Sequence, residues 1–96
     1  MQPILVTTTC SSLEEAETIG TKVLEKRFAA CIQISSAQSM YWWNGSIERE
    51  KEYVVTMKSE KSLFSQLAQT IKRHHSYDVP EIIAEDLVAV EQSYRQ

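Results

Sequence analysis

"MYWWNGSIE", residues 40–48, contains both tryptophans of the chain, one of its four tyrosines and one of its two glycines. Asn44-Gly45 is a strong two-residue hairpin signal, because the favoured type I′ turn needs positive φ at both central positions. The chain is therefore expected to run as two antiparallel strands meeting at this turn. On the N-terminal side a strand is read over residues 29–41, with Ile32 and Ile34 on one face and Cys31 and Gln33 on the other. Its polar segment "SSAQS" (residues 35–39) is the place where a bulge is expected. On the C-terminal side a strand over 46–58 begins charged, "EREKE", and ends apolar in Tyr53-Val54-Val55-Thr56-Met57.

Working outward, residues 3–9 are short, apolar and β-branched and read as a strand. Ser12 followed by Glu15 reads as a capping box opening a helix over about 12–28. Leu13, Ala16, Gly20, Val23, Leu24 and Arg27/Phe28 mark its inner face, while Glu14, Glu15, Thr18, Lys22, Glu25 and Lys26 face solvent. Beyond the hairpin, Ser59 or Ser62 caps a second helix. Leu63/Phe64, Leu67, Ala68, Ile71 and His74/His75 form its inner face. Pro80 cannot continue that helix and drives Val79 to an extended state. A last strand is expected over 82–90, interrupted at Glu85-Asp86. The order is β-α-β-β-α-β. Its simplest packing is an α+β ferredoxin-like sheet, antiparallel, with two helices on one face.

The lengths in this scheme do not match. A first helix of about 17 residues spans roughly 25 Å at ~1.5 Å per residue. A strand of about 13 residues spans roughly 43 Å at ~3.3 Å per residue. The outer half of the hairpin, with Tyr41, Trp42 and Trp43, overhangs the domain, and an exposed aromatic edge of that kind invites pairing. A homo-oligomer with hairpins packed between subunits is expected. The competing reading folds the aromatics back on their own domain. Tyr41 and Trp43, two apart, share the face expected at the subunit contact, and Trp42 faces the other way.

Ninety-six residues make one domain, 1–96, of ordinary composition: 43% hydrophobic and 24% charged. No segment approaches the ~20 apolar residues of a membrane span. "MQPILVTTTC" lacks the basic start and long apolar core of a signal peptide. The net charge is −3 and the bases are scattered among acids, which opposes nucleic-acid binding. The open sheet face raises an RNA-binding alternative, but the aromatic pattern of that module is absent. Two cysteines, Cys10 and Cys31, make no disulfide framework and read as free thiols of a cytoplasmic protein.

The chemistry-bearing segment is "HHSYDVPE" (residues 74–81), which holds the only histidines, His74 and His75, followed by Tyr77, Asp78 and Glu81. A histidine at a helix C-terminus has one explanation in the helix dipole. The other is a metal or ligand site of one His, Glu81 and a residue from the end of the first strand; imidazole suits Cu, Zn and Ni, and thiolate suits Cu(I) and Zn. Cys10, just before a helix N-terminus, is also a candidate nucleophile, with no oxyanion-hole glycines beside it. Cys31 reads as core.

Three stretches together resemble the CutA divalent-cation tolerance family: "LEKRFAACIQI" (24–34), "SMYWWNGSIE" (39–48) and "HHSYDVPEII" (74–83), the last with Ser76 where the family commonly has Pro. The resemblance covers nearly the whole chain in order. It implies a tight homotrimer of ferredoxin-like subunits, similar in build to PII signalling proteins, with hairpins extending across neighbours. It further implies a non-enzymatic protein of metal tolerance that binds divalent cations, copper foremost and zinc second, with no obligatory cofactor. Carried over by motif, the copper site implied is His74 and Glu81 with a Cys that falls at Thr8 here. A Thr hydroxyl is a poor ligand for soft copper, and Cys10, two residues on, lies on the same face if the strand reaches it. Tyr41, Trp43 and Trp42, with Tyr77, are the expected lining of the inter-subunit contact or pocket. The alternative is a PII-like signalling or scaffold trimer that binds a small effector or a partner protein. Family chains usually continue past the position of Tyr94 with a Leu, a Trp and a further helix, so the covering of that trimer edge is left open.

Overall fold

The computed structural model describes residues 1–95. Its elements are β1 (Pro3–Cys10), α1 (Leu13–Glu25), β2 (Cys31–Trp43), β3 (Ser46–Glu60), a 3₁₀ turn (Lys61–Leu63), α2 (Phe64–His74), β4 (Ile83–Asp86) and a short α3 (Gln92–Arg95). One sheet of order β2-β3-β1-β4 carries the domain, and every neighbouring pair is antiparallel. This is the expected α+β ferredoxin-like arrangement. Alternate residues of β1, namely Ile4, Val6, Thr8 and Cys10, are buried, and so are Val55 and Met57 of β3. With Ala16, Ile19 and Val23 of α1 and Leu67 and Ile71 of α2 they form one core. Each such aliphatic side chain contributes about 1.5–3 kcal/mol by burial.

Ser12 caps α1 as its sequence suggests: the Glu15 N–H donates to Ser12 Oγ at 3.1 Å. The helix stops at Glu25, short of residue 28. Arg27 adopts φ 60°, the Arg27 N–H donates to the Leu24 carbonyl at 3.0 Å and the Phe28 N–H to the Val23 carbonyl at 3.1 Å. These two bonds are a Schellman ending, which releases Phe28 to pack on the core. The buried face of α1 also differs from the expected one: Ile19 is buried, whereas Leu13 and Leu24, both assigned to the inner face, remain nearly half exposed.

β2 and β3 pair without a break from Cys31–Lys58 to Trp43–Ser46, so no bulge interrupts residues 35–39. Asn44 (φ 49°) and Gly45 (φ 79°) close the hairpin in the left-handed region, as a type I′ turn requires. Neither Ser59 nor Ser62 caps the second helix. Ser59 Oγ donates to the Phe28 carbonyl and Ser62 Oγ to Glu60 Oε1, and the 3₁₀ turn enters α2 instead. β4 has four residues rather than nine. The Leu87 N–H still reaches the Pro3 carbonyl at 3.0 Å, but Pro3 has no N–H to return and β1 begins there, so the ladder ends. Glu85-Asp86 lie inside this exposed edge strand and do not interrupt it.

The mismatch of lengths is larger than the sequence suggests. β3 has 15 residues and α1 has 13, and the long axis of the molecule is 46 Å. β1 ends at Cys10, opposite Tyr53. Beyond that point β2 and β3 continue as a two-stranded arm. Trp42 is 72% exposed, Trp43 61% and Tyr41 38%, so the aromatics do not fold back on their own domain. The register places Tyr41 and Trp43 on the uncovered side of the sheet, and Trp42 on the other with Met40 and Ile47. At the helix end, Arg27 holds a backbone conformation that costs a non-glycine residue about 1 kcal/mol. Arg27→Gly is expected to raise stability by about 0.5–1 kcal/mol, read as a shift in the chemical-denaturation midpoint.

Candidate metal centre

The end of β1, the start of α1 and the segment after α2 meet at one point. Strand alternation continues to Cys10, whose side chain turns under the sheet and is fully buried. Glu15, one turn into α1, does not close the capping box with its side chain. Its Oε1 accepts the Ser76 N–H at 3.1 Å, which ties α1 to the segment beyond α2. The α2 helix ends at His74, and His75 is extended (φ −94°, ψ 142°), which carries its ring beneath β1. The His75 side chain has no exposure and that of Glu15 only 15%.

The partners of the His75 ring fix its tautomer. Nε2 lies 2.7 Å from the Thr9 carbonyl, an acceptor, so Nε2 carries the proton. The Tyr77 N–H donates to Nδ1 at 3.1 Å, so Nδ1 presents a lone pair. Glu15 Oε2 is 3.5 Å from Nδ1. Distance alone would make that contact an ion pair, but Nδ1 has no proton to share. Glu15 Oε2 is accordingly buried without a hydrogen-bond partner. Cys10 Sγ is 3.9 Å from Nε2. One thiol sulfur, one imidazole nitrogen and one carboxylate oxygen thus lie within 4.8 Å of one another. Burial, reinforced by the Glu15 carboxylate beside it, pushes the Cys10 thiol up to about 12. That is opposite to what a nucleophilic cysteine requires.

Around this core, Tyr77 packs against His75 with ring centroids 4.7 Å apart and planes tilted by 44°, and its hydroxyl donates to Glu52 Oε2 at 2.9 Å. Burial and Glu52 together push that phenol up. Thr8, two residues before Cys10 on the same face, is fully buried, and its Oγ1 has no hydrogen-bond partner. Among the described residues the cluster holds neither His74 nor Glu81. His74 is half-buried at the end of α2 and Glu81 is exposed after Pro80. The strand does reach Cys10, as substitution for Thr8 requires. Glu15 was hidden by its second role, since Ser-x-x-Glu explains it as a cap. Helical spacing does not separate the histidines: Leu67-Ile71 leads by fours to position 75, and the equally buried Thr70 leads to 74. The helix end decides between them.

A groove of about 740 Å³ lies at the opposite end of the sheet, between Leu24, Phe28, Ala29, Leu63, Leu87 and Tyr94. It is mainly apolar, and the cluster of metal-type donors lies elsewhere.

The chain is therefore a ferredoxin-like domain with a buried sulfur-nitrogen-oxygen cluster of metal-type donors. The profile of the CutA1 divalent ion tolerance protein family matches residues 4–96, and the chain belongs to that family. It is 36% identical over 96 residues to the divalent-cation tolerance protein CutA of Thermococcus kodakarensis, covering 100% of this chain and 92% of that one. With the CutA of Pyrococcus horikoshii it shares 37% over 91 residues, 95% of this chain and 89% of the other. Among solved structures, CutA1 from Oryza sativa superposes with a TM-score of 0.94 at 29% identity, covering 98% and 87% of the two chains. The periplasmic divalent cation tolerance protein CutA from Archaeoglobus fulgidus does so with 0.92 at 34%, covering 96% and 90%.

The two thiols differ in access, since Cys10 is buried and Cys31 partly exposed. In the native protein at pH 8, a disulfide reagent is expected to modify Cys31 within minutes and Cys10 only after denaturation. With its folded value raised from 9.0 to about 12, Cys10 favours the folded state fully below about pH 9, and this contribution is lost as pH rises towards 12. Thiolate absorbance of a Cys31→Ser variant against pH checks the sign.

Proposed function

We propose that the protein is a non-enzymatic, homotrimeric divalent-cation binding and tolerance protein of the copper type, and that Cys10, Glu15 and His75 hold the ion. The observation that carries this reading is the convergence of three metal-type donor atoms within 4.8 Å, among them the buried Glu15 Oε2, which has no hydrogen-bond partner of ordinary geometry and faces an imidazole lone pair. The donor set fits the group. Thiolate and imidazole suit copper and zinc, and the carboxylate supplies charge. The Nε2–H bond to the Thr9 carbonyl is the outer-shell contact that typically orients a ligating histidine. Binding would displace the Cys10 proton. The names of the relatives, divalent-cation tolerance proteins, agree with this use. The protonated, buried thiol argues against a nucleophilic role.

The overhanging arm supports the trimer. Its aromatic residues and the unpaired outer edge of β2 suit contact with copies of the same chain. We also place the protein in the cytoplasm on its two free thiols. The Archaeoglobus fulgidus relative is described as periplasmic, and cell fractionation distinguishes the two locations.

Calorimetry with Cu²⁺ and Zn²⁺ tests the site. Micromolar or tighter binding is expected, weakened about 100-fold or more in His75→Ala and Cys10→Ala, and within about threefold of the parent in His74→Ala and Glu81→Ala. Loss in the latter pair and not the former would move the site to the motif positions. A nucleotide signal without metal binding would favour the PII-like alternative. Light scattering is expected to give three times the 11.0 kDa chain mass, and a monomer would overturn the assembly.

A further inference from the structure

His75 has two nitrogens, and both are engaged. Nε2 gives its proton to the Thr9 carbonyl at 2.7 Å, a short bond inside the sheet end. Nδ1 faces Glu15 Oε2 and is the nitrogen left for an ion, yet its lone pair already accepts the Tyr77 N–H at 3.1 Å. One lone pair cannot serve both. An ion at Nδ1 must take the place of the Tyr77 amide. Tyr77 is not a loose residue: its ring lies on His75 and its hydroxyl holds Glu52. Glu52 is the first residue of β3 beyond the reach of β1, whose last partner is Tyr53. It therefore stands at the root of the two-stranded arm. The same residue thus blocks the donor atom with its amide and holds the arm with its phenol.

We propose that Tyr77 is a positioning residue that gates His75 and couples ion occupancy to the hairpin: an ion at Nδ1 displaces the Tyr77 amide and loosens the Tyr77–Glu52 bond at the arm's root. This rests on the reading that the Cys10–Glu15–His75 cluster takes the cation. The neighbouring Ser76 N–H stays on Glu15 Oε1, so the shift begins at residue 77 and runs towards Pro80. The amide of Tyr77 serves as an internal competitor that lowers affinity, and its loss on binding is the signal.

The test uses Zn²⁺, which is diamagnetic, on the ¹⁵N-labelled full-length protein, with calorimetry establishing stoichiometry first. Zinc loading is expected to shift the Tyr77 amide resonance and speed its hydrogen exchange by about tenfold, with shifts spreading to residues 48–53. In Tyr77→Phe, which keeps the amide and removes the hydroxyl, zinc should bind within about threefold of the parent affinity. The amide at 77 should still respond, and residues 48–53 should not. A merely structural tyrosine would change the arm in both zinc-free and zinc-loaded protein alike. Bound zinc with unchanged exchange at Tyr77 overturns the proposal while leaving the metal site standing. So does a full arm response in Tyr77→Phe. No calorimetric zinc binding overturns the metal site and the gate together.

Discussion

The unbroken antiparallel pairing of β2 with β3 is the constraint on which the rest of the subunit depends. A ladder from Cys31–Lys58 to Trp43–Ser46 fixes which side chains face the helices. A slip of one residue would exchange Val55 and Met57 for Val54 and Thr56 in the core. The turn that sets the register is Asn44-Gly45, both in the left-handed region. β1 then pairs with only the inner half of β3 and ends opposite Tyr53. The point where that pairing stops is also the point where Cys10, Glu15 and His75 meet. A short central strand beside a long hairpin thus produces both the exposed arm and the buried cluster next to its root.

Much of this was legible because local chemistry and tertiary need agreed. Asn-Gly, the β-branched first strand and Ser12 each have one strong structural use, and each is found in it. The failures lie where two uses compete. Arg27 is a good helix former, and a sequence pattern runs the helix through it, but the Schellman bonds end the helix there. A nine-residue last strand is adequate in isolation; only its partner, beginning at a proline, shortens it. Glu15 is the sharpest case. Its backbone N–H takes the cap that the motif predicts, while its side chain leaves the motif for Ser76 and the cluster. No periodicity encodes that departure, which depends on a loop 61 positions away in sequence.

The histidine pair makes the same point about geometry. His74 and His75 differ by one position, but one ends a helix and the other begins an extended segment. An extended residue after a helix turns its side chain across the strand ends, and the ring of His75 is completely enclosed as a result. The family resemblance identified the kind of protein. The arrangement of donors within the segment came from backbone conformation, which residue types alone leave open.

The straightness of β2 has a consequence for the life of the chain before it reaches its final state. The strand lies at the outer edge of the sheet, and without a bulge its backbone donors and acceptors run in line over 13 residues. Nothing in "SSAQS" breaks that line with a proline or a charge. A newly made chain therefore presents a long template for any extended chain that arrives first. Wrong pairing at this edge rises with the concentration of other unpaired strands around the chain.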